Sequence, residues 1–366
     1  MAATGVAATP RRCRIGEQAP WFAARCTSPV FHFDQMAGRV TVLSFLGSAG
    51  LADSARILAD LHGRHRGLFD DVTASFFAVT VDPEDARLQR VAHALPGIRV
   101  FWDHDQQVCR RYAVSGPAER HTLVLDQRLR VVEIVPFDDR PETHLDRVAA
   151  AMARVPTFAP PSVAQPQAPA LVIPDVFEPV LCQHLMDTYE RQGGRESGFM
   201  RDVEGRTVEV LSAREKRRRD TEVVEEGLRS ACLARVRDRI VPEIARSFQF
   251  HVTRIERYIV ACYDEADAGF FRRHRDNTTR ATAHRRFACT INLNTGEYEG
   301  GELLFPEFGA QRFVAPVGGA VVFSCSLLHE ALPVTQGRRF AFLPFLYDDA
   351  GAAQRQATAR FLEPAS

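Results

Sequence analysis

A chain of 366 residues is longer than one small module requires and predicts roughly two to three domains. Hydrophobic residues make up 45% and charged residues 25%, which excludes global disorder, and the 46 basic and 46 acidic residues leave no net charge to attract nucleic acid or an anionic membrane. The eight cysteines are too sparse for a disulfide scaffold. Because Met1–Pro20 has no apolar leader segment, and no long apolar stretch follows, we expect a soluble, cytoplasmic protein.

The first part of the chain alternates between strand and helix patterns. Val40–Gly47 and Ala74–Asp82 are rich in β-branched and aromatic residues and predict buried strands, and His121–Val135 predicts a hairpin. A helical pattern lies between the first two strands, and Glu142–Val155 predicts an amphipathic helix. This order of elements predicts an α/β domain over residues 1–155.

A change in composition follows this domain. Residues 156–169 contain five prolines in fourteen positions, which predicts a linker. In residues 170–366, helical patterns that include Val223–Phe248 precede seven or eight short β-rich runs, and these predict an antiparallel jelly roll. We interpret the charged run Arg214–Asp220 as a solvated loop or helix end.

Three side chains in the second part of the chain have the chemistry of a metal site. His274 and Asp276 flank one residue in a predicted strand, where positions i and i+2 point to the same face. His329 follows a later strand and can converge with them. Two histidines and one carboxylate cover one face of an octahedral ion, as in non-haem Fe(II) oxygenases. Arg339, ten residues further on, could hold the far carboxylate of a 2-oxo acid.

The H-x-D pattern alone carries little weight, because it occurs three times. His144 and Asp146 lie on a predicted helix, where positions i and i+2 diverge, so we interpret them as polar surface residues. His32 and Asp34 are explained by packing at the edge of a core. The third pair alone is followed by a histidine and an arginine on later strands.

Four segments, ACYDEADAGFFRRHRDN, RRFACTINLN, GGELLFPE and GAVVFSCSLLHEALPVTQGRRFAFLPF, resemble the catalytic domain of prolyl 4-hydroxylase-type Fe(II)/2-oxoglutarate dioxygenases. The resemblance covers roughly residues 170–348 and implies a double-stranded β-helix, a form of jelly roll. It also implies that His274, Asp276 and His329 bind Fe(II) and that 2-oxoglutarate is the cosubstrate. The implied reaction hydroxylates a C–H bond and releases succinate and CO2.

The same resemblance implies contacts with the cosubstrate. Arg339 matches the basic residue that binds the distal carboxylate of 2-oxoglutarate, and the G-x-R-F spacing selects it over Arg338. Tyr263 matches a tyrosine that hydrogen-bonds the cosubstrate, although a core aromatic residue would also explain it. Enzymes of this group commonly depend on ascorbate. We expect a prolyl-type peptide or a small molecule as substrate, with the choice set by loops such as Gly193–Asp220.

The N-terminal segments GEQAPWF, AGRVTVLSF and FFAVTVD resemble the thioredoxin-like peroxiredoxins over roughly the first 150 residues. In that family a nucleophilic cysteine follows the first long strand, but here the turn Gly47–Arg56 has no cysteine and Ser54 stands at the expected position. Arg120 matches the late arginine of the family. We interpret Cys109 as a buried cysteine on a helix face and expect the domain to serve packing, docking or homodimerisation.

Two alternative functions are open at this point. A thiol-dependent peroxidase would need Cys109 as a relocated nucleophile. A protein that only binds its partners would need no chemistry from either domain, which leaves the four oxygenase-type residues without a role.

Overall fold

The computed structural model describes residues 12–138 and 140–362 of the chain. The chain divides into two compact units, Met1–Pro160 and Pro161–Ser366. The first eleven residues, which belong to the stretch Met1–Pro20 interpreted above as lacking a leader, lie outside the described residues. No described helix combines the length and the apolar character that crossing a bilayer requires.

A mixed β-sheet forms the centre of the N-terminal unit. The described strands of this unit are β1 (Ala23–Ala24), β2 (Phe31–His32), β3 (Val40–Gly47), β4 (Ala74–Thr80), β5 (Ile98–Trp102), β6 (His121–Leu125) and β7 (Val131–Pro136). The central sheet has the order β5-β4-β3-β6-β7, in which β3, β4 and β5 are parallel and the predicted hairpin β6–β7 is antiparallel. Alternate residues of β4 enter two different cores, with Phe77 in one and Phe76 in the other, as the period of two in a strand requires.

Helices accompany this sheet and bury a residue that the sequence did not assign to the core. The described α-helices of the unit are α1 (Ala52–His62), α2 (Pro83–Arg87), α3 (Gln107–Arg111) and α4 (His144–Met152). The prediction that His144 is a surface residue is wrong, because its side chain is buried and its Nε2 lies 2.8 Å from the Thr122 hydroxyl. Burial lowers the pKa of His144 to about 4, so the imidazole is neutral at pH 7.

The turn that would carry a peroxidatic cysteine is instead filled by a polar cluster. The Ser54 hydroxyl donates to the Leu46 carbonyl at 2.9 Å and accepts from Arg120 at 3.0 Å, and Arg120 also pairs with Asp53 at 2.7 Å. Cys109 is buried on α3, where burial and the nearby Asp103 carboxylate raise its thiol pKa. Both effects disfavour the nucleophilic thiolate, which argues against the thiol peroxidase alternative.

The C-terminal unit is rich in short strands. Its described strands are β8 (Ala170–Ile173), β9 (Arg195–Glu196), β10 (Phe199–Val203), β11 (Arg206–Val210), β12 (Lys216–Arg217), β13 (Arg219–Glu222), β14 (Arg254–Glu256), β15 (Ile259–Asp264), β16 (Phe270–His274), β17 (Phe287–Asn292), β18 (Glu299–Gly300), β19 (Leu303–Leu304), β20 (Arg312–Phe313), β21 (Ala320–Ser324), β22 (His329–Ala331), β23 (Val334–Gln336), β24 (Arg338–Phe342) and β25 (Phe345–Tyr347). These eighteen strands exceed the seven or eight predicted, because β8 to β13, β18, β22 and β23 lie outside the predicted runs and two of those runs each divide into two strands.

Two larger sheets and a helical layer build this unit. One sheet has the path β14-β25-β17-β24-β15-β13-β9 with β21 and β8 attached, and the other has the order β12-β16-β22-β19-β20. Along β15, Val260 and Cys262 belong to the core shared with the helices, whereas Ala261 and Tyr263 belong to the core shared with the second sheet. The first sheet therefore has one face for the helices and one face for the site.

The helical layer contains one interruption. The described α-helices of this unit are α5 (Pro179–Gln192), α6 (Glu226–Arg235), α7 (Val241–Phe248) and α8 (Asp349–Thr358). The single helix predicted over Val223–Phe248 is divided by a wide π-type turn at Val236–Ile240. Pro242 follows this turn and has no N–H to donate to the preceding turn of the helix, which accounts for the local widening.

Candidate functional site

Two histidines face each other across neighbouring strands of the second sheet. His274 ends β16 and His329 begins β22, and the two residues are direct partners in the antiparallel pairing of these strands. Their ring centroids lie 4.2 Å apart. Phe271 stacks on His274 with a centroid distance of 3.5 Å, and the ring of Phe323 contacts His329 at 4.6 Å. These apolar walls restrict the orientation of both imidazoles.

Asp276 reaches the same point from a loop, which differs from the prediction. The strand ends at His274, so the expected arrangement of i and i+2 on one strand face does not apply. Instead, the Asp276 N–H donates to the Cys325 carbonyl at 3.0 Å and fixes the loop. One carboxylate oxygen lies 3.5 Å from His274 Nε2, and the other lies 3.5 Å from His329 Nε2. One ligand atom from each of the three residues lies within 4.8 Å of the other two.

The hydrogen bonds of the histidines prepare them as ligands. Nδ1 of His274 lies 2.7 Å from the Arg272 carbonyl, and Nδ1 of His329 lies 3.1 Å from the Leu327 carbonyl. A carbonyl oxygen can only accept, so Nδ1 carries the proton in each ring and the Nε2 lone pair points toward Asp276. This is the orientation that a metal-binding histidine needs.

The charge states also suit a divalent cation. Burial and the neighbouring His274 lower the pKa of His329 to about 4, so its imidazole is neutral at pH 7. Burial alone would raise the pKa of Asp276, but the adjacent histidines outweigh this effect and lower it, so the carboxylate is ionised. A neutral imidazole and an ionised carboxylate are the ligand forms that bind metal.

Arg339 and Tyr263 lie side by side in the first sheet. They are direct partners in the pairing of β24 with β15, and the guanidinium carbon of Arg339 lies 5.0 Å from the centre of the Tyr263 ring. Arg339 is buried, and its Nη2 donates to Asn292 Oδ1 at 3.3 Å. Arg338 points away and pairs with Glu190 at 2.8 Å. Arg339, Tyr263 and the three candidate ligands line one narrow cavity of 50 Å³.

The charged run Arg214–Asp220 is only partly the solvated loop that was predicted, because Lys216, Arg218 and Asp220 line the cavities of the site. Lys216 and Arg218 are only 4% and 6% exposed, respectively. Arg218 donates to both carboxylate oxygens of Asp220 at 2.7 and 2.6 Å, and its Nη1 lies 3.4 Å from the Tyr263 hydroxyl. Positions 216, 218 and 220 alternate with exposed Arg217 and Arg219, so the period of two was a signal of a strand edge facing the site.

A second cavity of 530 Å³ adjoins the narrow one. The two cavities share four lining residues, namely Arg257, Phe271, His274 and Asp276. The larger cavity therefore reaches the candidate metal ligands directly and has the size of a small-molecule site. Arg257 is a residue that the sequence did not single out. It lies at φ +68 in the connection between β14 and β15, and no motif or periodic pattern marks it.

We predict that Glu256, which anchors a wall of the larger cavity, makes the unit sensitive to acid. It is buried and accepts hydrogen bonds from His284 at 2.9 Å and from Arg285 at 2.6 Å. Burial alone would raise the pKa of Glu256, but these two partners lower it from 4.5 to about 2. The resulting stabilisation, about 3 kcal/mol, is fully present above about pH 4.5 and is lost as the pH falls toward about 2.

Chemical denaturation at a series of pH values checks this prediction. The difference in unfolding free energy between the wild type and Glu256→Gln should shrink across that pH range. Glu142→Gln, which removes an exposed carboxylate from the other unit, serves as the control. A difference that stays constant with pH would contradict the prediction.

Comparison with known proteins gives one family and several relatives. Residues 258–347 match the model of the 2OG-Fe(II) oxygenase superfamily. A PKHD-type hydroxylase of Verminephrobacter eiseniae is 38% identical over 76 residues, which are 19% of this chain and 34% of that protein. A solved prolyl hydroxylase of Trichoplax adhaerens, in complex with a hypoxia inducible factor peptide fragment, is 17% identical with a TM-score of 0.41, covering 50% of this chain and 86% of that chain. Peroxidoxin BcpB of Mycobacterium tuberculosis is 17% identical with a TM-score of 0.32, covering 40% of this chain and all of that chain.

The family match confirms the predicted resemblance to Fe(II)/2-oxoglutarate oxygenases for part of the C-terminal unit. The matched stretch, residues 258–347, contains all five site residues that the sequence predicted. The chain spans about a third of the length of the V. eiseniae relative.

Proposed function

We propose that this protein is an Fe(II)- and 2-oxoglutarate-dependent dioxygenase that hydroxylates a C–H bond of a prolyl-type or small-molecule substrate. The observation that carries the proposal is the convergence of His274, Asp276 and His329, whose ligand atoms lie within 4.8 Å of one another. In the same proposal the C-terminal unit is a double-stranded β-helix, which two sheets with a common core support. The N-terminal unit is thioredoxin-like and lacks the peroxidatic cysteine.

The residues present fit a ferrous ion. Two Nε2 atoms and one ionised carboxylate would hold the metal and leave other coordination positions open. A bound ferrous ion would supply the activation of O2, coupled to the conversion of 2-oxoglutarate to succinate and CO2. The carbonyl groups that accept from both Nδ1 atoms keep the imidazoles in the tautomer that binds metal.

The remaining side chains would bind the cosubstrate and shield it from water. The Arg339 guanidinium is buried and faces the narrow cavity, so it can bind the distal carboxylate of 2-oxoglutarate. The Tyr263 hydroxyl can add a hydrogen bond to the same cosubstrate. Phe271, Phe323 and Phe345 line the cavity and limit the access of water to it.

An anaerobic titration of the purified protein with Fe(II) and 2-oxoglutarate tests the proposal before any substrate is known. We expect a visible metal-to-ligand charge-transfer band that saturates with 2-oxoglutarate. If no band forms and 2-oxoglutarate does not bind to the iron-loaded protein, the proposal is wrong, and a role confined to binding partners becomes the better explanation.

We predict that Arg339→Ala weakens 2-oxoglutarate binding by about 10- to 150-fold, because a charge-assisted hydrogen bond contributes about 1.5 to 3 kcal/mol. The dissociation constant from the anaerobic titration measures this effect. Arg338→Ala is the matched control and should leave the constant unchanged, since Arg338 pairs with Glu190 on the other side of the strand. If Arg338→Ala instead weakened 2-oxoglutarate binding, the role in binding the distal carboxylate would belong to Arg338.

The proposal includes four further features of the protein. These are a dependence on ascorbate, a cytoplasmic location, a homodimer formed through the N-terminal unit, and the domain limits 1–155, 156–169 and 170–366.

A further inference from the structure

The wall between the two cavities carries a half-buried arginine, Arg257, for which no ion pair is formed among the described residues. The Nε of Arg257 is closed to solvent and has no hydrogen-bond partner. Among the described residues, no carboxylate lies within ion-pair distance of its guanidinium, which rests on the ring of Phe345 at 4.8 Å. The side chain lines both the narrow cavity and the 530 Å³ cavity.

The other cations around the larger cavity are accounted for in a different way. Arg218 is paired with Asp220 at 2.6 Å, and Arg285 is paired with Glu256 at 2.6 Å. Lys216 is buried but donates only to neutral oxygens, the Ser197 hydroxyl at 2.7 Å and the Gly198 carbonyl at 2.5 Å. Arg257 and Lys216 therefore form no ion pair in this wall. The carboxylates of Glu209 and Glu222 also line the cavity, but both residues are exposed.

A guanidinium N–H that is closed to solvent and unpaired, as the Nε–H of Arg257 is, costs free energy unless a ligand accepts from the group. The carboxylate of Asp276 cannot be that partner, because it lies between the two histidines. The cosubstrate already has its own guanidinium in Arg339. The Arg257 guanidinium, which lies beside the candidate metal ligands in the lining of the larger cavity, therefore lacks a paired acceptor.

We propose that the 530 Å³ cavity binds a substrate that carries a carboxylate, held by the Arg257 guanidinium with Lys216 nearby, so that the C–H bond to be hydroxylated lies close to that acid group. This inference rests on the proposed function and adds the charge of the substrate to it. The carboxylate can come from a free amino or hydroxy acid or from the C-terminus of a peptide. Both sources would present a carboxylate to Arg257, and they differ in size.

The first experiment measures the thermal unfolding of the ligand-free protein. If Arg257 serves binding and destabilises the ligand-free fold, its replacement should stabilise the protein. Arg257→Met is therefore expected to raise the thermal unfolding midpoint of the C-terminal unit by about 2 to 4 °C. Arg285→Met is the matched control, since Arg285 stacks on the same ring at 4.0 Å but is paired, and its loss should lower the midpoint. A lower midpoint in Arg257→Met would assign the residue a structural role and overturn the proposal.

The second experiment compares acids with their amides on protein loaded with Fe(II) and 2-oxoglutarate under argon. The probes are L-proline and L-prolinamide, and glycyl-L-proline and its amide, with binding followed by calorimetry. We expect the acid of at least one pair to bind more tightly than its amide, and Arg257→Met to weaken that acid by about 10- to 150-fold. The pair that responds distinguishes a free acid from a peptide C-terminus.

The charge-transfer band distinguishes a failure of the proposed function from a failure of the inference about Arg257. If the wild type forms no band, the proposed function fails. If the band forms but no acid binds more tightly than its amide, or the preference persists in Arg257→Met, only the present inference fails. Loss of the band in Arg257→Met would make Arg257 a cosubstrate residue and would also overturn the inference.

Discussion

Asp276→Ala is expected to reduce 2-oxoglutarate decarboxylation to the level found without protein. The carboxylate contributes the only negative charge of the candidate ligand set, and its two oxygens lie 3.5 Å from the Nε2 atoms of His274 and His329. Without it, two imidazoles would remain, and these hold Fe(II) far less tightly than a face with an anion does. The release of succinate and CO2, with the iron content of the variant, measures the effect.

Asp34→Ala is a suitable control, because this residue belongs to another H-x-D pair of the sequence and lies in the N-terminal unit. Its variant should retain full turnover. Undiminished turnover of a folded, iron-loaded Asp276→Ala protein would refute the ligand assignment. His274→Ala and His329→Ala should behave as Asp276→Ala does, since each removes one third of the same set.

Arg218→Met is expected to lower the unfolding free energy of the C-terminal unit by about 3 to 5 kcal/mol, because it leaves a buried carboxylate without its partner. Arg218 is 6% exposed and holds both oxygens of Asp220. Burial alone would raise the pKa of Asp220, but the charges of Arg218 and Lys216 lower it to about 2. Denaturation followed by circular dichroism measures the loss.

The neighbouring residue and the double variant make this experiment specific. Arg217→Met removes an exposed arginine from the same strand region and should change stability by less than about 0.5 kcal/mol. Arg218→Met combined with Asp220→Asn should recover part of the loss, since the uncompensated charge is then gone. Equal losses in the Arg217 and Arg218 variants would show that the buried ion pair has no particular importance.

The sequence alone predicted those features of the structure that a short-range pattern determines. Alternation along β24 predicted that Arg339 and Arg338 face opposite sides, and the structure has Arg339 buried and Arg338 paired at the surface. β3 and β4 were also predictable, because they are short runs rich in β-branched and aromatic residues, whereas β5 of the same sheet was not predicted.

The features that the sequence did not predict depend on contacts between residues that are distant in the chain. Asp276 reaches the site because its N–H bonds to Cys325, 49 residues later, and no local pattern specifies that contact. His144 is buried and forms a hydrogen bond with the Thr122 hydroxyl on β6, although its position on a helix resembles that of a surface residue. Arg257 is a single arginine among 45, and only the cavity beside it gives it a candidate role.

The two faces of the first sheet contact different layers, and this limits how the number of residues between the Gly337 turn and the end of β24 can vary. Arg339 faces the narrow cavity and the next residue, Phe340, packs against the helices, so deleting one residue at the Gly337 turn would exchange their positions. A phenyl ring would then occupy the cavity and a guanidinium would enter the apolar layer. Homologous chains should therefore vary freely in loop length elsewhere, yet keep a fixed count of residues between this turn and the end of the strand.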